Sequence, residues 1–175
     1  MPWEIPEFSD HTEFMIAQYR AEMPELGDLT AMETLSRLME AARRIQREAI
    51  APTIESFGLQ PGEFDVLAAL RRSGGDFVLT PAQLLEMTMV TSGGMTARLD
   101  RLEKAGWIKR DANPYDKRSF IVLLAEAGKE LIERALVGRL INDEKVVRRL
   151  SRAEQSLLNA LLSKLLARFA EPGRT

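Results

Sequence analysis

Apolar residues recur three and four positions apart through most of this chain, the period of a helix that buries one side. From Thr30, the residues Leu35, Leu38, Ala42, Ile45 and Ala49 form one stripe, with Arg43, Arg44, Arg47 and Glu48 on the remaining surface. That pattern ends in "SFGLQPG", where Gly58 suits the position after a helix and Pro61 the first turn of the next. A shorter helix is predicted over residues 12–23, ended near Pro24. The helix opening at Pro61 carries Phe64, Leu67 and Leu70 on one side and stops at Gly74-Gly75. In "LTPAQLLEMT", Thr80, Pro81 and Gln83 make a capping box with a proline start. "MVTSGG" breaks that short helix, and a fourth is predicted over about 92–105, entered at Thr91 or Ser92 and ended at Gly106.

The period then changes. "WIKR" and "RSFIVLL" read as strands joined by a turn at Asn113-Pro114. Helix resumes in "AEAGKELIERALVGRLINDEKVVRRL". A last helix opens with Ser151 and Glu154 as a second capping box, and its leucines 157, 158, 161, 162, 165 and 166 cover a wide face. The order predicts a mainly α fold with a small β-hairpin.

Composition narrows the chemistry. With no Cys and only His11, disulfides, thiol sensing and a zinc site of the usual His/Cys type are excluded. No apolar run approaches the roughly 20 residues of a membrane span. The opening "MPWEIPEFSD" is acidic and broken by Pro, unlike a signal peptide, so a cytoplasmic protein is expected. No nucleophile-base pair, phosphate loop or cofactor motif is present, and no enzymatic activity is expected.

A net charge of −2 argues against a nucleic-acid partner until its distribution is read. Residues 1–29 hold seven acids and one base; residues 91–120 hold seven bases and four acids. A phosphate backbone responds to the local patch within a Debye length of about 8–10 Å. Two short helices with a tight break, the second basic and followed by a hairpin, describe a winged helix-turn-helix whose second helix enters the major groove. In helix 92–105, Met95, Leu99 and Leu102 should face the core. Ser92, Gly93, Gly94, Thr96, Ala97 and Arg98 remain outward near its N-terminus; the small ones allow close approach to base edges, and Arg98 would fork onto guanine or a phosphate. The hairpin tip, Asp116-Lys117-Arg118, would lie in the adjacent minor groove, with Arg118 inserted and Asp116 bracing it through a charge-assisted hydrogen bond. The candidate DNA-contacting set is Thr91, Ser92, Gly93, Thr96, Ala97, Arg98, Arg101, Asp116, Lys117 and Arg118. A merely solvated amphipathic helix is the plainer alternative, but Gly93 and Gly94 each cost about 1 kcal/mol of helix propensity against Ala.

The block "VTSGGMTARLDRLEKAGWIKRDANPYDKRSFIVLLAEAGKEL" resembles the recognition helix, wing and following helix of MarR-type regulators. "RLEKAGWIKR", "DKR" and "LAEAG" match that family's pattern, with Ala125 in place of the usual Thr cap. Charge and pattern make residues 1–29 an acidic N-terminal extension with a short helix, and the resemblance implies a MarR-like domain over 30–175. Within it the winged helix-turn-helix would span about 60–124 and the dimerisation helices about 30–57 and 125–170. It also implies a homodimer with interleaved terminal helices, a pseudo-palindromic double-stranded DNA operator, and a repressor relieved by a small ligand.

The chain further resembles the urate-responsive branch of that family. By position, Asp65, Arg98 and Arg110 match its ligand residues, while Tyr19 stands nearest to its Trp. The resemblance implies a small aromatic or anionic effector, urate-like or phenolic, that takes over the pairing of Arg98 or Arg110, repels Asp65 and shifts the recognition helix. The alternative for these residues is an ordinary salt-bridge network. The alternative for the whole chain is a winged-helix protein-interaction module without operator binding.

Overall fold

Asp10 caps the first helix, α1 (His11–Glu22), by accepting the Glu13 amide at 2.8 Å. The computed structural model describes residues 10–88, 92–116 and 118–169, and the chain divides into two compact units, one through Glu48 and one from Ala49. In the first unit, α1 packs on α2 (Thr30–Ile45). Ile16 and Leu29 are buried there. So is the Thr12 hydroxyl, which donates to Glu40 Oε2 at 3.1 Å, while Arg44 holds Oε1 at 2.6 Å. Burial opposes the Glu40 charge, but these two partners outweigh it and hold the carboxyl below its ordinary range. Arg37 ties Asp10 to Glu33 across the same pair of helices.

The long helical pattern from Thr30 is realised in three pieces. After α2 comes a π-helical turn, Gln46–Ile50, and then α3 (Ala51–Glu55). Pro52 supplies the physical reason, because it has no amide to continue the ladder toward Glu48.

In the second unit, α4 (Pro61–Arg72) is the central element. It packs against α3, against α5 (Pro81–Met87) and α6 (Ser92–Lys104), against strand β3 (Phe120–Leu124) and against α7 (Glu126–Val147). It therefore buries Val66 and Ala69 as well as the expected Phe64, Leu67 and Leu70. Leu84, Met95, Leu99, Leu102, Ile108, Val122 and Ile132 complete this core. At roughly 25 cal/mol per Å² of apolar surface removed from water, such a cluster dominates the unit's stability.

The capping boxes form as the spacing predicts. Thr80 Oγ1 accepts the Gln83 amide at 3.2 Å while Gln83 Oε1 accepts the Thr80 amide at 2.8 Å. Ser151 and Glu154 do the same at the start of α8 (Arg152–Ala167). The hairpin is part of a three-stranded antiparallel sheet in the order β1-β3-β2, with β1 at Val78–Leu79 and β2 at Ile108–Ala112. Strand β1 has two residues, too few to show alternation in the sequence. The turn at Gly74 and Gly75, both at positive φ, brings it onto β3, where Val78 faces Leu123.

The N-terminal half of α7 buries Leu131, Ile132 and Ala135. Beyond it, Val137, Leu140 and Ile141 are exposed, as are Leu157, Leu158, Leu161 and Leu166 of α8. No helix among the described residues is long and apolar enough to cross a membrane.

Candidate nucleic-acid interface

Met95, Leu99 and Leu102 are all within 3% of complete burial, which fixes the roll of α6 about its axis. Gly93, Thr96, Ala97, Asp100 and Arg101 consequently lie on its exposed side. Thr91, Lys117 and the side chain of Ser92 lie outside the described residues. The exposed face is small near the N-terminus of α6, where the sequence placed the base-reading residues, and charged further along.

Two ion-pair systems hold α6 in place. Arg101 donates from Nε to Glu63 Oε1 at 2.7 Å and from Nη2 to Gln60 Oε1 at 2.8 Å. Glu63 is buried, and its other oxygen accepts the Gln60 amide at 2.8 Å, closing the first turn of α4. On the opposite flank, Arg110 of β2 donates from Nη2 to Asp100 Oδ1 at 2.6 Å. Its Nε faces Glu103 at 3.4 Å, a charge contact without the alignment of a hydrogen bond. The same guanidinium stacks 5.3 Å from the centroid of the Phe120 ring. Recognition helix, α4 and wing base thus form one braced unit.

The wing is β2, β3 and the loop between them, in register from Ile108 opposite Leu124 to Ala112 opposite Phe120. Side chains order the loop. Asn113 Oδ1 accepts the Tyr115 amide at 3.0 Å, its Nδ2 donates to Ser119 Oγ at 2.8 Å, and its amide reaches the Ser119 carbonyl at 3.3 Å. Asp116 Oδ1 accepts the Arg118 amide at 3.0 Å. Asp116 therefore holds Arg118 by its backbone, where the sequence suggested a bond to the guanidinium. Both are Asx turns, the local bond for which Asn and Asp are favoured in loops. They leave Arg118 exposed and Tyr115 97% exposed at the tip.

Comparison with known proteins agrees with this geometry. The model of the MarR family matches residues 57–119, the segment from just after α3 to the loop of the wing, short of β3. The HTH-type transcriptional regulator PecS of Dickeya dadantii is 33% identical over 151 residues, covering 86% of this chain and 90% of that protein. The chain belongs to the MarR family. The multiple antibiotic resistance protein MarR of Escherichia coli is 30% identical over 134 residues, covering 75% of this chain and 90% of its own. A mutant of that MarR, solved in complex with operator DNA, superposes with a TM-score of 0.68 at 28% identity, over 79% of this chain and 97% of its own.

Within this MarR-family chain the four effector candidates fall in different settings. Tyr19 lies on α1 in the first unit, 36% exposed. Asp65, Arg98 and Arg110 lie in the second. Burial pushes the Asp65 carboxyl above its ordinary range, against the opposing pull of Arg139, Arg72 and Arg98. Arg98 is thus near enough to act on Asp65, whereas Arg110 is engaged by Asp100 and Glu103. Two polar atoms of this group are buried without a hydrogen-bond partner: Arg98 Nη1 and Arg110 Nε. Arg139 and Arg72, missed in the sequence, act on Asp65 from α7 and from its own helix. For Arg72 the i,i+7 spacing was a readable signal; for Arg139 there was none.

Proposed function

We propose that this chain is a sequence-specific DNA-binding transcriptional regulator, acting in the cytoplasm as a homodimer on a pseudo-palindromic operator, and that it represses until a small effector binds. The observation that carries this reading is the braced recognition helix. Its small outward residues Gly93, Thr96 and Ala97 stand clear of the ion pairs on either flank, beside a wing whose tip presents Arg118. Such a surface suits base edges in the major groove together with an arginine in the neighbouring minor groove. Thr91, Ser92, Arg101 and Lys117 would add phosphate contacts. The operator complex of the Escherichia coli MarR mutant supports the same partner.

Dimerisation is supported by α8, which buries none of its described side chains while exposing a row of leucines. A second copy would cover that row and set two recognition helices about 34 Å apart, one turn of DNA. For the effector, the carboxyl of Asp65, pushed up by burial, and the unpartnered Nη1 of Arg98 favour a small aromatic anion, urate-like or phenolic. Arg110 would add charge to that site.

A gel shift on the DNA upstream of the chain's own gene tests the reading. Retardation should weaken steeply as salt rises. No shift at low salt removes the operator-binding reading and favours a protein-interaction module. Calorimetric titration of urate and of salicylate against wild type and Arg98→Ala tests the effector site, and undiminished affinity in the variant removes Arg98 from it.

A further inference from the structure

Gly62 and Gly94 belong to different helices and face the same side chain. A methyl group at Gly94 would stand 2.9 Å from Arg98 Cζ and 3.2 Å from Nη2, and closer still to Nη1. One at Gly62 would stand 3.0 Å from Cζ and 3.1 Å from Cδ, and closer still to Nε. Carbon atoms in ordinary contact are about 3.5–4.0 Å apart, so neither methyl fits while Arg98 stays. The two glycines hollow out a slot, and the guanidinium lies in it against the backbone of both helices.

No ion pair among the described residues explains this position. Gly62 is the second residue of α4 and Gly94 the third of α6, so the cation lies at two helix N-termini, the positive ends of their dipoles. Nη1 is buried with no hydrogen-bond partner. Asp65 senses the charge, but no ion pair joins the two among the described contacts. The absence of two Cβ atoms is what makes room. Gly94 is also a poor helix residue kept inside a helix, which a purely structural role for α6 does not require.

We propose that Gly62 and Gly94 are positioning residues that hold Arg98 off the DNA-facing surface of α6. Arg98 lies at the flank of the helix between the buried Leu99 and the exposed Ala97 and Arg101. A methyl at either glycine expels the guanidinium, and because the atoms in the way are the end of a flexible chain, α6 itself need not move. Expelled, the cation reaches the outward flank and neutralises one further phosphate. The position of Arg98 stands on the geometry alone; its consequence for DNA rests on the operator-binding reading.

The test uses the full chain as Gly94→Ala and Gly62→Ala, each also combined with Arg98→Ala. Labelling by phenylglyoxal, an arginine-selective reagent, is read at Arg98 by mass spectrometry and needs no DNA. Arg98 should be protected in the wild type and react several-fold faster in both single variants; equal rates overturn the proposal. On the upstream DNA fragment, Gly94→Ala should bind more tightly at low salt. The slope of log affinity against log salt should steepen by about one unit, the signature of one added phosphate contact. Adding Gly94→Ala to Arg98→Ala should change nothing. Weaker binding at unchanged slope, or an effect that persists without Arg98, would mean the glycine acts through the helix and overturns the proposal. If the wild type shifts no fragment, the operator reading fails by itself and the labelling still decides the slot.

Discussion

Arg101 of α6 donates to one oxygen of the Glu63 carboxylate at 2.7 Å while the other oxygen closes the first turn of α4. One buried acid thus caps a core helix and anchors the helix proposed to read DNA. The consequence is a test that separates the brace from any contact Arg101 makes with phosphate. Arg101→Ala strands a buried carboxylate and should cost about 1–3 kcal/mol, read as a lower urea midpoint without DNA. Adding Glu63→Gln removes the stranded charge yet keeps an acceptor for the Gln60 amide, so it should recover part of the loss. Strict additivity of the two changes would show that the pair is not coupled.

Gly128 makes the opposite case to Gly94. The start of α7 rests on Trp107, the residue before β2: the amide of the cap residue Ala125 donates to the Trp107 carbonyl at 3.0 Å. A Cβ at Gly128 would meet that carbonyl, with the Trp107 carbon at 2.8 Å and Leu124 Cδ1 at 3.1 Å. Backbone cannot swing aside as a side-chain end can. Gly128→Ala should therefore destabilise by about 1–3 kcal/mol, whereas Gly94→Ala should gain up to about 1 kcal/mol of helix propensity. Thermal melts of the two variants side by side check this, and equal shifts would contradict it.

The wing has its own test. Arg118→Ala should weaken operator binding by about 1–3 kcal/mol if the side chain enters the minor groove. Asp116→Ala should weaken it less, because Asp116 only shapes the turn through the Arg118 amide. Asp116→Asn preserves that bond and should retain affinity, whereas a brace made by charge would be lost. Filter binding at fixed salt distinguishes the two.

Asp65 predicts a pH dependence. Its carboxyl titrates above its ordinary range in the folded chain because burial disfavours the charge. Below the unfolded value, about 4, it is neutral in both states and carries no penalty. As pH rises, the unfolded chain releases the proton first, so folding stability falls until the folded group has also ionised. Asp65→Asn should therefore be as stable as wild type near about pH 3.5 and more stable at neutrality. Urea midpoints across that range measure it, and a constant gap between the two proteins would be inconsistent with the shift.

The elements could be read from the sequence because their signals are local. Helical spacing, the Thr80 and Ser151 caps and the Gly106 stop all act within a few residues, and the same spacing oriented α6 through Met95, Leu99 and Leu102. The turn around Asn113-Pro114 was legible too, although the bonds that order it were not. Strand β1 was invisible, since two residues acquire strand geometry only by pairing with β3. The π turn before α3 needed the position of Pro52 to be weighed against a strong apolar stripe.

The sequence by itself determined which residue types crowd the proposed interface: small residues at the start of α6, cations along it and at the wing. Tertiary structure decided what each cation does. Arg101 is tied to Glu63, Arg110 to Asp100 and Glu103, and Arg98 lies in a slot between Gly62 and Gly94. The physical reason is distance along the chain. A guanidinium's partner is set by which groups the fold brings within a few ångströms, and Glu63 stands 38 residues from Arg101. No periodicity records such a pairing, and no pattern of side chains announces that two glycines have been left empty to receive a third residue.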